Sequence, residues 1–99
     1  MKQLDKKELF NRFVFGYIAA SHTQTDESEQ ELKQLIAEFI NEINDEDCFT
    51  YYALRDIIEY VKHNISDENK GFYHYWINRL IYRRQLEDYI KYIIDHFIT

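Results

Sequence analysis

The feature that most constrains the fold of this chain is its lack of residues that interrupt helices. The 99 residues contain no proline, and glycine occurs only at positions 16 and 71. Strand-rich folds need turn residues at short intervals, whereas the uninterrupted stretches here are long enough for helices of several turns. The sequence therefore predicts an all-α protein.

The length of the chain suits one domain with one core. Hydrophobic residues make up 45% of the sequence and aromatic residues 17%, which is enough to fill a core without disulfides or metals. We therefore expect residues 1–99 to form a single domain, a compact bundle of four to five helices. Because the polar connections are short, sequential helices should pack as mostly antiparallel neighbours.

Apolar stripes at helical spacing predict where the first three helices lie. The first is expected to begin at Asp5, and the second near Thr25 or Asp26. Residues 44–47 interrupt the pattern and should supply the cap of the third helix. The predicted core positions of the three helices are Phe10, Phe13, Val14 and Tyr17; Leu32, Leu35, Ile36, Phe39, Ile40 and Ile43; and Leu54, Ile57, Ile58, Val61 and Ile65.

The helical pattern from residue 72 to residue 98 is nearly continuous, but its phase changes. The stripe of Leu86, Ile90, Ile93 and Phe97, extended backward at the same spacing, meets Arg83 and Arg79 before it reaches the aromatic segment. Two arginines cannot lie unpaired in an apolar seam. We therefore expect the helix to break or bend near residues 82–85.

The sequence contains no motif typical of catalysis or of a metal site. It has no glycine-rich phosphate loop, its four histidines are far apart, and its one cysteine, Cys48, has no neighbouring histidine. We expect a protein that is not an enzyme, with no cofactor, no metal and an inert thiol. A single cysteine, with no stretch near the roughly 20 apolar residues that span a bilayer, predicts a cytoplasmic protein without membrane partners.

The net charge of −6 is concentrated in one segment. Residues 26–47 contain nine acids and one lysine, while the remaining residues carry a small positive excess. Five of these acids recur at spacings of three, four or seven residues, which places them along one side of a helix. Such a ridge is either a solvated face or a site for a basic partner. The predicted partner-binding residues are Glu27, Glu31, Glu38, Glu42, Asp45, Glu46 and Asp47.

A second candidate interface follows the aromatic residues of the last segment. It comprises Tyr73, Tyr82, Arg83 and Arg84, residue types that are enriched at interface hot spots. Pairing of these arginines with acids of the same chain, such as Glu87 and Asp88, is an equal alternative.

A small, acidic, helical chain without catalytic motifs resembles immunity proteins and antitoxins that neutralise basic nucleases. The resemblance is one of overall character and no motif carries it. It implies a bacterial or phage inhibitor that blocks a basic, nuclease-like toxin sterically and electrostatically. The alternatives are a homodimeric regulatory or adaptor protein that pairs through its first helix and, third, a nucleic-acid-binding helical domain, which the negative net charge disfavours.

Overall fold

A computed structural model describes residues 5–21, 26–83, 88, 91 and 95 of the chain. Within these residues the protein consists of four α-helices and two short 3₁₀ helices, without strands, and the prediction of an all-α bundle is confirmed. The α-helices are α1 (Lys6–Ser21), α2 (Glu27–Glu42), α3 (Tyr51–Asn64) and α4 (Lys70–Arg83). A first 3₁₀ helix, Asp45–Asp47, precedes α3, and a second, Asp67–Asn69, precedes α4.

Helix α1 begins where the sequence predicts. Asp5 Oδ1 accepts a hydrogen bond from the backbone N–H of Lys7 at 3.0 Å, which satisfies one of the amides that a helix start leaves unpaired. The fully buried residues are Phe10, Val14 and Ile18, spaced four apart. Phe13, on the predicted core stripe, packs only partly buried against this core. The buried face of α1 is therefore rotated from the predicted one.

Helix α2 is the central element of the bundle, since it packs against α1, α3 and α4. Its N-terminus is capped by Asp26, whose carboxylate accepts from the N–H of Glu29 at 2.9 Å, as the sequence predicts. Leu32, Ile36 and Ile40 are fully buried, which confirms the middle of the predicted stripe. The remaining stripe residues, Leu35, Phe39 and Ile43, are partly buried and pack against the same core.

The connection between α2 and α3 differs from the prediction. Residues 45–47 form the first 3₁₀ helix, and the cap of α3 is Thr50, whose hydroxyl accepts from the N–H of Ala53 at 2.9 Å. The same hydroxyl donates to the carbonyl of Asp47 at 3.0 Å, so one side chain joins the 3₁₀ helix to α3. The acids at 45–47 are therefore surface residues of a turn and do not cap the helix.

Helix α4 closes the described core. Trp76 is fully buried, and α4 packs against α1, α2 and the second 3₁₀ helix. The described part of α4 extends to Arg83, and the predicted break near residues 82–85 lies largely outside the described residues. No α-helix in the described part of the chain is long and apolar enough to cross a membrane.

Candidate partner-binding surface

Glu31, the second residue of the predicted acidic ridge, holds the connection between α3 and α4. Its carboxylate accepts hydrogen bonds from the backbone N–H of Ser66 at 2.6 Å, from the Ser66 hydroxyl at 2.7 Å and from the side-chain amide of Asn69. The Ser28 hydroxyl adds a bond to Asn69 Oδ1 at 2.8 Å. Two residues one turn apart on α2 therefore hold the second 3₁₀ helix.

The pKa of Glu31 reflects this role. Partial burial acts to raise the pKa, but the hydrogen bonds from Ser66 and Asn69 together outweigh it, and the pKa lies below the usual range. The charged carboxylate is thus stabilised by uncharged donors of its own chain. Glu38 of the same ridge also accepts a bond within the chain, from the side-chain amide of Gln34 at 3.2 Å, but Glu31 is the ridge residue that binds the connection between α3 and α4.

A second acid of the charged segment also lies inside the protein. The side chain of Glu29 is only 3% exposed, and its carboxylate pairs with Lys33 Nζ at 2.8 Å one turn along α2. Glu27, by contrast, is exposed at the first position of α2. The predicted ridge is therefore divided, with its N-terminal end separated from the acids beyond Lys33.

The acids beyond Lys33 are exposed and meet α3. Glu38 and Glu42 lie beside Tyr60 of α3. Desolvation, the negative charge of these two glutamates and a side-chain hydrogen bond to Glu38 raise the pKa of that phenol. Asp45, Glu46 and Asp47 continue the charge through the first 3₁₀ helix, and Asp56 of α3 is exposed next to them at a shared groove. We call Glu38, Glu42, Asp45, Glu46, Asp47 and Asp56 the acidic surface.

Among the described residues, few cations approach the acidic surface. Lys7 Nζ lies 4.0 Å from Asp45, and Arg55 Nε lies 4.0 Å from Asp56, both at the limit of an ion pair. Among the residues that the structure describes, no lysine or arginine lies within ion-pair distance of the other four carboxylates. Within the described part of the chain, four of the six carboxylates of this surface therefore have no lysine or arginine that neutralises them.

The groove lies between the end of α2 and the start of α3. It has a volume of about 360 Å³. Three carboxylates from three elements surround it, together with the ring of Tyr52, which is 64% exposed. The lining residues are Glu42, Ile43, Asn44, Asp47, Thr50, Tyr52, Ala53 and Asp56.

Asp56 and Tyr52 are functional candidates that the sequence reasoning missed. They are four residues apart, so they share one face of α3. The short connection from α2 brings that face beside the acids of residues 42–47. A search for acids and aromatics opposite the predicted core stripe of α3 would have found them.

The second predicted interface needs a correction. Tyr73 is only 4% exposed, and its hydroxyl donates to the carbonyl of Ile58 at 3.0 Å, so it belongs to the core between α3 and α4. The side chains of Tyr82 and Arg83, and all of Arg84, lie outside the described residues. Among the described side chains of this segment, the exposed tyrosine is Tyr75, which is 48% exposed and has the guanidinium of Arg79 over its ring at 5.6 Å.

Cys48 is buried at the edge of the acidic surface. Its thiol donates to the carbonyl of Asp45 at 3.0 Å, and desolvation, followed by the charge of Asp45, raises its pKa to about 11. Such a thiol stays protonated near neutral pH and does not act as a nucleophile. Within the described residues, no group of three His, Cys, Asp or Glu side chains is arranged to hold a metal ion.

Comparison with known proteins gives no relative for this arrangement. No family model matches the chain. Neither a curated protein nor a solved structure matches it. What the chain does must therefore be argued from the acidic surface and the groove.

Proposed function

We propose that this chain is a non-catalytic binding protein that docks against a basic protein through the acidic surface. The observation that supports the proposal is the exposure of Glu38, Glu42, Glu46 and Asp47 without a described lysine or arginine in ion-pair distance. An inhibitor of immunity or antitoxin type, acting on a nuclease-like toxin, is the class that this surface fits best.

The energetics of the surface favour a cationic partner. Glu38 and Glu42 lie one turn apart on α2, and like charges at this spacing cost a helix about 0.2–0.5 kcal/mol. A cationic partner would turn this repulsion into attraction. The same field would steer the encounter and raise the association rate at low ionic strength.

The mechanism of inhibition would be steric. A nuclease binds the phosphates of its substrate with lysines and arginines, which form a basic surface around the active site. The carboxylates of α2, the first 3₁₀ helix and α3 present negative charge to such a surface from a rigid support. A complex of one inhibitor with one nuclease would exclude RNA or DNA without any chemical step.

The first experiment compares two charge reversals in equivalent positions. Glu46 is the middle residue of the first 3₁₀ helix, within the acidic surface, and Glu68 is the middle residue of the second, outside it. Both side chains are exposed. The wild-type chain, Glu46→Lys and Glu68→Lys would each be used to capture proteins from the native host, and the captured protein would be identified and purified.

Binding of the purified partner then tests the proposal. We expect a basic protein, a 1:1 complex by calorimetry, and an association rate that falls steeply as NaCl is raised. Glu46→Lys should slow association about tenfold, and Glu68→Lys should leave it almost unchanged. A cleavage assay would show whether the wild-type chain inhibits a nuclease partner.

Three results would contradict the proposal. The first is equal loss of binding in the two variants, which would mean that only net charge matters. The second is a stable dimer of the chain alone in sedimentation, with no basic protein captured, which would support the homodimeric adaptor. The third is a shift of an oligonucleotide by the chain alone, which would support the nucleic-acid-binding alternative.

A further inference from the structure

The groove between α2 and α3 is large enough to hold one long side chain. Its volume of about 360 Å³ lies at the lower end of the range of ligand-binding cavities. Apolar atoms of Ile43, Ala53 and Tyr52 contribute to its wall, and polar groups lie among them. A long side chain with an apolar stem and a polar head fits such a lining.

The charge of the residues that line the groove determines which head group of an entering side chain it would bind. Glu42, Asp47 and Asp56 line the groove, and no lysine or arginine is among its lining residues. Arg55, outside the lining, lies at the ion-pair limit of 4.0 Å from Asp56, and no described lysine or arginine lies within ion-pair distance of Glu42 or Asp47. An acidic or neutral side chain would gain nothing from these carboxylates. A cationic head would neutralise them and could donate hydrogen bonds to more than one.

The aromatic wall favours a guanidinium over an ammonium. The chain's own Arg55 already shows the geometry, since its guanidinium carbon lies 5.2 Å from the centre of the Tyr52 ring. Arg55 does not line the groove. A planar guanidinium stacks on an aromatic ring and presents five N–H donors in a fixed fork, whereas an ammonium is a compact, strongly hydrated charge.

We propose that the groove bounded by Glu42, Asp47, Tyr52 and Asp56 receives an arginine side chain of the basic partner. This rests on the proposed function and deepens it, because it names the partner group that anchors the complex. The stem of the arginine lies along Ile43 and Ala53, its guanidinium stacks on Tyr52, and its N–H groups donate to the carboxylates. An aromatic ring beside a buried arginine is a typical interface hot spot.

The test uses arginine itself as the probe. Nα-acetyl-arginine amide would be titrated into ¹⁵N-labelled protein, in parallel with Nα-acetyl-lysine amide and Nα-acetyl-citrulline amide, the neutral analogue of arginine. We expect saturable shifts of the amide signals of Tyr52, Ala53 and Asp56 with the arginine compound and none with citrulline. The lysine compound should bind at least threefold more weakly, because it cannot stack.

Substitutions at three exposed residues complete the titration experiment. Tyr52→Leu and Asp56→Asn should each weaken the arginine compound at least threefold, while Glu68→Gln, which also removes one exposed carboxylate, should leave its affinity unchanged. Circular dichroism checks that each variant folds. Equal binding of lysine or citrulline, or equal weakening by Glu68→Gln, overturns the assignment of the groove to arginine.

The result of the arginine titration can be distinguished from the result of the partner-binding test of the proposed function. If the arginine compound fails to bind the groove while Glu46→Lys still slows association of a basic partner, this inference is wrong and the proposed function stands. If the compound binds the groove but the salt dependence and the Glu46→Lys effect are absent, the acidic surface does not steer a basic partner and the proposed function is wrong.

Discussion

Glu31 and Ser66, thirty-five residues apart, are joined by two hydrogen bonds to a single carboxylate, one from the backbone N–H and one from the hydroxyl of the serine. This relationship fixes the start of the second 3₁₀ helix on the flank of α2. It also distinguishes Glu31, which binds a distant segment of the chain, from the exposed acids Glu38 and Glu42 of α2.

The first prediction concerns the stability that Glu31 provides. Replacing Glu31 with Ala removes the acceptor of three hydrogen bonds, and the free energy of unfolding should fall by about 1–2 kcal/mol, which allows for the partial exposure of the carboxylate. Urea unfolding followed by circular dichroism measures this. Glu46→Ala, which removes an exposed carboxylate, is the control and should change stability by less than about 0.5 kcal/mol. Equal losses would mean that the bonds to Ser66 and Asn69 contribute nothing.

The second prediction is the pH dependence of the same contribution. The pKa of Glu31 in the folded protein lies below its ordinary value of 4.5. A carboxyl with a lowered folded pKa stabilises the fold fully above its ordinary pKa, and this stabilisation is lost as the pH falls through the folded value. The difference in unfolding free energy between wild type and Glu31→Gln should therefore be constant near neutral pH and shrink below about pH 4.5. A difference that grows on acidification would contradict this.

The third prediction concerns the reactivity of Cys48. With a pKa near 11 in the folded protein and an ordinary value of 9.0, the thiol forms about a hundredfold less thiolate at pH 8 than an unfolded one. Full burial slows its reaction further. Labelling with a disulfide reagent should therefore be at least a hundredfold slower in buffer than in urea. Similar rates in the two solvents would show that the thiol is accessible.

The fourth prediction separates two neighbouring tyrosines of α4. Tyr73→Ala removes a buried ring and a hydrogen bond to Ile58, and should cost about 3–5 kcal/mol. Tyr75→Ala removes a ring that is 48% exposed, and should cost less than about 1 kcal/mol. Urea unfolding of both variants measures the difference. A larger loss for Tyr75 would place the core face of α4 on the other side of the helix.

The sequence predicted best what depends on local spacing. The central stripe of α2, at Leu32, Ile36 and Ile40, and the start of α2 near Asp26 were both predicted, because periodicity and helix-start signals involve residues within one or two turns. The fully buried Ile18 was missed, because the larger apolar residues Phe13 and Tyr17 lie on the other side of Phe10 and Val14 and shifted the predicted stripe away from Ile18. Which of these faces turns inward is decided by the helices packed against α1.

The sequence could not reveal contacts between distant segments. The partners of Glu31 lie 35 and 38 residues further along the chain, so its place on a charged ridge was visible but its hydrogen bonds were not. The sequence predicts Tyr73 at the surface because tyrosine is enriched at interface hot spots and the residue belongs to an aromatic–arginine pattern. The spacing of Tyr73, Trp76 and Ile77 was an equally good stripe, and the packing of α4 against α1, α2 and the second 3₁₀ helix favours it. The groove depends on the approach of Asp56 to Glu42, which periodicity alone does not give.

The position of α2 has a consequence for how a bound partner would act on the rest of the molecule. Helix α2 packs against each of the other three α-helices of the described chain. Local unfolding of any of these helices therefore breaks packing contacts with α2. A protein that covers the outer side of α2 therefore suppresses openings well beyond its footprint. Amide hydrogens of α1 and α4, which such a partner would not touch, should then exchange with solvent more slowly in the complex.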